Sequence, residues 1–179
     1  MALLVLTGWM LNIDFLRNPL GEHGGMNSTA GLCFVVLSTS MLLFLTRKKK
    51  FEKTAYALTL FCFLLASYRL VEDLVVLYTP DEGPTVFTPA LSAPSSASAL
   101  PMSPNGATTF VLLCMALVLL TKGKVWAGQM IAALATVIAF FTLLGHINRV
   151  PEFLGLLPYL PMALYKNLCF LLLSMTLFA

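Results

Sequence analysis

Charge is what this sequence lacks most. Of its 179 residues only 11% are Asp, Glu, Lys or Arg, while 59% are hydrophobic. A soluble domain usually carries about 25% charged residues, so too little charge is present to coat a water-facing surface. With a mean hydropathy of +0.88, the chain reads as an integral membrane protein. The net charge of +3 does not point to a nucleic-acid partner, because the basic residues cluster at the ends of apolar runs, where they set orientation. The four cysteines, Cys33, Cys62, Cys114 and Cys169, lie inside apolar runs and none forms a CxxC pair. Neither a disulfide framework nor a zinc site is indicated. Two histidines, His23 and His146, are too few and too poorly placed for the axial ligands of a haem. No nucleophile–base pair, carboxylate dyad or phosphate-binding glycine loop is present. The expectation is a non-enzyme with no metal and no cofactor of its own. The start, MALLVLTGWM, has no basic n-region and no A-x-A cleavage site, so it does not read as a signal peptide.

Long apolar runs are what the sequence has in excess. A helix needs about 20 apolar residues to cross a hydrocarbon core of roughly 30 Å. Six runs qualify or nearly so: 2–16, 28–46, 54–78, 105–121, 125–147 and 160–179. Lipid offers no partner to a free peptide group, and the alternation of barrel strands is absent, so these runs predict helices. The first is short for a full span. Arg47, Lys48, Lys49, Lys50 and Lys53 join the second run to the third, and Lys122 and Lys124 join the fourth to the fifth. These basic turns are expected in the cytoplasm, which places both termini there as well. The stretch 79–104, rich in Pro, Ser and Ala, reads as a flexible outer connector.

Three segments align without gaps: MNSTAGLCFVVLSTSMLLF from Met26, MSPNGATTFVLLCMALVLL from Met102 and MALYKNLCFLLLSMTLFA from Met162. In each, Met precedes Phe34, Phe110 or Phe170 by eight residues, two helical turns along about one face. The segments GWMLNIDFL and GHINRVPEFL, which precede two of them, also correspond. The expected fold is therefore all-α: one six-span transmembrane domain over 1–179, built as three repeated hairpins at about 1–46, 54–121 and 125–179. A repeating hairpin that cannot bury its own packing face packs against its copies.

These stretches (GWMLNIDFLRNP…MNSTAGLCF, LPMSPNGATTFVLL and LLGHINRVPEFLG…LPYLPMALYKNLCFLLL) resemble the six-span N-terminal module of bacterial sensor histidine kinases and related PAS-containing signalling proteins. In that family each hairpin returns through a motif like M-x-P-N-T-A-L-x-F. The resemblance covers almost the whole chain. It implies a sensory input module in a bacterial inner (cytoplasmic) membrane. Lys166 and Asn167 depart from it by standing where the family has His-Thr, and His146 stands where an aromatic is common. A PAS, kinase or cyclase domain would begin soon after position 179. Within these residues there is no phosphoacceptor His box, no ATP-binding glycine set and no receiver aspartate.

A few ionisable residues lie within the apolar runs. Glu72 and Asp73 follow Arg69 by three and four positions, which puts both carboxylates on the arginine face of a helix. An ionisable group at mid-bilayer costs at least about 2.5–3.5 kcal/mol, so such groups pair or face a cavity. Arg69, Glu72, Asp73, His146 and Lys166 are the candidates for a polar ligand pocket near the outer surface. The competing structural readings are a self-satisfied pair where the helix emerges, a hydrogen-bonded His146 and a Lys166 whose stem snorkels to the headgroups. Trp9, Trp126, Tyr78 and Tyr159 fit an aromatic belt. Two functions follow. One is a sensory module that biases its inner helix ends when a ligand prefers one packing over another. The other is a stand-alone scaffold subunit of a respiratory or photosynthetic complex, holding lipid or pigment. Its partners are membrane lipids and other transmembrane helices, in a homodimer or a larger assembly.

Overall fold

A computed structural model describes residues 28–46, 48–78, 102–148 and 164–178, with Leu3, Leu6 and Thr7; the side chains of 73–78, 146–148 and 164–165 are not among those described. Among the described residues the chain is all-helical. We number the main helices α1 (Ser28–Leu45), α2 (Lys49–Tyr78), α3 (Pro104–Thr121), α4 (Val125–Asn148) and α5 (Leu164–Thr176). Four are long and apolar enough to cross a membrane, over Ser28–Leu45, Lys49–Glu72, Pro104–Thr121 and Val125–Gly145, and α5 is a shorter apolar helix. The first and last expected runs, and the connector 79–104, fall wholly or partly outside the described residues.

One boundary differs from expectation. Residues 47–53 were expected to form a turn, yet α2 begins at Lys49. The Phe51 amide donates to the Lys48 carbonyl at 2.9 Å, and Lys49, Lys50, Glu52 and Lys53 are exposed on the first turns. Lys and Glu are good helix formers, and Glu52 near the N-terminus suits the helix dipole. A helix of 30 residues is about 45 Å long, longer than the roughly 30 Å of a hydrocarbon core, and its first turns are its charged end.

The turn from α3 to α4 is tight because of one glycine. Gly123 has φ +76°, a conformation that glycine adopts without a Cβ penalty. The Gly123 amide donates to the Leu120 carbonyl at 3.0 Å and the Lys124 amide to the Leu119 carbonyl at 2.9 Å. That pair of bonds is the Schellman ending of a helix. Along α4, Gly128, Ala132, Ala135 and Ala139 recur at offsets of four, three and four, and the three alanines are fully buried. Small side chains let helices approach closely where lipid gives no hydrophobic drive for association. A Cβ on Gly128 would lie 2.7 Å from Leu120 Cγ and 3.1 Å from the Ala116 carbonyl oxygen.

Sequential helices pack as neighbours, and polar contacts fix their directions. Ser40 on α1 donates to the Ala55 carbonyl on α2 at 2.8 Å and shares a 2.6 Å hydrogen bond with Thr59. Tyr56 near the start of α2 reaches Thr121 at the end of α3 at 3.1 Å. Thr142 late in α4 meets Asn167 early in α5 at 2.9 Å. Thr176 at the end of α5 lies against the Met41 sulfur late in α1, so α1 and α5 run the same way.

The three aligned phenylalanines meet. Ring centroids are 4.7 Å apart for Phe34 and Phe110, 4.6 Å for Phe34 and Phe170, and 4.6 Å for Phe110 and Phe170. Two of the pairs are edge-to-face and the third is tilted, the arrangements favoured by the ring quadrupole. All three rings are buried. This triad sits where α1, α3 and α5 converge, 11 residues before the ends of α1 and α3 at Leu45 and Thr121, or about 16 Å.

Candidate functional site: a buried polar layer

The site is built on the side of the ring triad away from the basic turns, about one to two turns before each phenylalanine. On α1 this level holds Ser28 and Thr29; on α3, Ser103 and Asn105; on α5, Lys166 and Asn167. All are buried. Helix α2 supplies Arg69 and Glu72, and α4 supplies Thr142. Polar side chains gathered in apolar helices are held there by one another, because lipid offers them nothing.

Arg69 is the organising residue. It is 4% exposed, and its Nη1 donates to Glu72 Oε2 at 2.6 Å. Its Nη2 lies 3.4 Å from the Thr29 hydroxyl on α1. The ion pair is therefore local to α2, spaced i,i+3, but it is buried instead of lying at an exposed helix end. Arg69 Nε and Glu72 Oε1 remain buried without a hydrogen-bond partner. Ser103 Oγ and Asn167 Nδ2 share that condition. Ser103 occupies the N-cap of α3 yet makes no side-chain cap bond. Asn167 spends its carbonyl oxygen on Thr142, which leaves the amide nitrogen unused.

Lys166 stands four residues before Phe170, at the register of Ala30 before Phe34 and Gly106 before Phe110. Residues four apart share a helix face. The position one turn above the rings thus carries two minimal residues and one lysine. Lys166 is 6% exposed, and among the described residues it makes no ion pair. Of the other sequence candidates, Asp73 and His146 lie on α2 and α4, but their side chains fall outside the described set. Lys48, Lys49, Lys50, Lys53, Lys122 and Lys124 are all exposed, and Arg47 is outside the described residues. The exposed lysines of both turns flank the level where Tyr56 meets Thr121.

Asn167, Thr29, Ser103 and Thr142 were not anticipated as site residues. The available signal was their register: each of the first three falls within seven residues before a repeated phenylalanine. Cys33, Cys62 and Cys114 are buried in the core, where the Cys62 thiol approaches the Cys33 carbonyl at 3.7 Å. No group of three or more His, Cys, Asp or Glu among the described residues is placed to hold a metal ion. Comparison with known protein families, with curated proteins and with solved structures finds no match to this chain.

Proposed function

We propose that this chain is a non-catalytic, multi-pass sensory module of a bacterial inner membrane, in which a change in the buried polar layer biases the packing of α1, α3 and α5. The observation that carries this reading is the position of the layer. Its unspent polar atoms lie on α2 and, within two turns of the rings, on α3 and α5, so a change in the layer acts close to the element that sets the mutual packing of the three helices. A ligand shifts such an equilibrium only through unequal affinity for its two states. A site of this kind gives that inequality, because its hydrogen bonds depend on helix register. We read the module as six spans in three hairpins with both termini in the cytoplasm. In support, α2 lies against both α1 and α3 and α4 lies against both α3 and α5, while the remaining face between α1 and α5 is an apolar groove of about 530 Å³ that Leu3 helps to line.

The test joins the chain to a histidine-kinase output domain read by a transcriptional reporter. Arg69→Gln should shift basal output at least severalfold while inserting as well as wild type. Equal output at equal insertion would remove the layer from signalling. Extraction of the native protein in mild detergent supplies the second arm. Recovery in a large stoichiometric complex would favour a scaffold subunit instead.

A further inference from the structure

We propose that the groove between α2 and α3 seats one anionic glycerophospholipid of the leaflet on the basic side of the bundle, with an acyl chain along the groove and the phosphate among the lysines at its end. The assignment goes beyond the sensory reading and does not depend on it.

The groove has a volume of about 460 Å³. Leu60 and Phe63 on α2 and Met115, Val118 and Leu119 on α3 form its apolar walls, and Tyr56 and Lys122 stand at its basic end. Thr59 also lines it, but the Thr59 hydroxyl is spent on Ser40 and on the Ala55 carbonyl. Leu60 is 58% and Met115 42% exposed, so the groove opens outward, toward lipid in a membrane bundle. Its lining runs from Tyr56 to Phe63 and from Cys114 to Lys122, about 10–12 Å of helix. Half of a hydrocarbon core is roughly 15 Å deep. An apolar slot of that length, open to the bilayer, has the dimensions of a lipid tail within one leaflet.

The lining faces run on into lysine. Lys122 follows Met115 by seven residues, Lys53 precedes Leu60 by seven and Lys49 precedes Tyr56 by seven. Seven residues are two helical turns along about one face. All three lysines are exposed, and the 3.1 Å bond from Tyr56 to Thr121 holds the two helix ends together at this level. Residues 46–54 and 121–125 include seven basic side chains and one acidic one, Glu52, which lines a separate small recess with Lys48. Lysine binds phosphate as a point charge, and basic clusters beside a membrane span favour anionic headgroups. Tyrosine suits the headgroup level, where one end of its ring is apolar and the other wet. Charge also singles out this groove. The two larger ones, each about 530 Å³ and bordered by α1 and α5, have no Lys or Arg in their walls.

Full-length protein in detergent micelles is mixed with palmitoyl-oleoyl phosphatidylglycerol or with phosphatidylcholine of the same chains, and bound lipid is counted by native mass spectrometry. One phosphatidylglycerol should be retained, with an apparent affinity about tenfold or more above that of phosphatidylcholine. Lys122→Gln should erase most of that preference. Lys124→Gln, which removes the same charge from the other side of Gly123, should leave it nearly intact. Val118→Trp fills the groove and should reduce retention of both lipids, with helix content by circular dichroism as the check on folding. Should that variant lose helix content, Met115→Trp takes its place, since the native side chain is already partly exposed. Equal retention of the two lipids overturns the assignment, and so does undiminished retention in a folded groove-filling variant. Equal losses in Lys122→Gln and Lys124→Gln would show a diffuse surface attraction and no seat. A dimer mass in place of a lipid adduct, abolished by Val118→Trp, would give the groove to a second copy of the chain and overturn it as well.

Discussion

Phe110 touches two other rings of its own kind, and its side chain is among the largest that are fully buried. Removing it opens a cavity that two further aromatic rings cannot both fill. Phe110→Ala should therefore destabilise the bundle by about 3–5 kcal/mol, the usual loss for a truncated core aromatic. Unfolding in mixed detergent micelles measures it, and a loss below about 1 kcal/mol would show that the triad is not a packing centre. The three phenylalanines were legible in the sequence because a gapless Met-to-Phe spacing recurs in three apolar runs. Their mutual contact was not legible, since spacing fixes a face of a helix and not which faces meet. The same holds for Arg69 and Glu72. Their offset announced a shared face, whereas the burial of the pair and the reach to Thr29, 40 residues away in sequence, depend on how α1 and α2 pack.

Among the elements, α3 and α4 form the most tightly constrained pair. A short glycine-closed turn joins them, and Gly128 admits Leu120 and the Ala116 carbonyl at van der Waals range. Gly128→Leu would force these helices apart near their shared turn. Overpacking of this kind typically costs about 1–3 kcal/mol, and the expected result is a lower thermal midpoint with helix content retained. An unchanged midpoint would mean that the α4 stripe is not a close-packing seam. Element boundaries were mostly legible, because apolar length alone predicts where a lipid-solvated helix begins and ends. The exception, the start of α2 at Lys49, shows the limit of that logic. Hydropathy reports the hydrocarbon slab, while helix propensity and a favourable first turn carry the backbone hydrogen bonding on into charged sequence.

For the whole molecule, the two basic turns lie on one side of the bundle, tied together through Tyr56 and Thr121. Single cysteines placed at Lys48 and Lys122, in a chain whose four native cysteines are replaced by alanine or serine, test which side that is. A membrane-impermeant maleimide should label both from the cytoplasmic face of inverted vesicles and neither from intact spheroplasts. Labelling of the two from opposite faces would contradict the bundle itself. The general plan, an all-helical membrane bundle with repeated helices, was legible from composition and spacing. The polar layer was not, because it is assembled from one or two residues on each of five helices, and no single helix reads as a site.

The ring triad has a consequence for permeation. Three aromatic rings in mutual contact close the axis between α1, α3 and α5 at that level. Whatever reaches Lys166 and Asn167 along that axis must arrive from the side on which those residues lie.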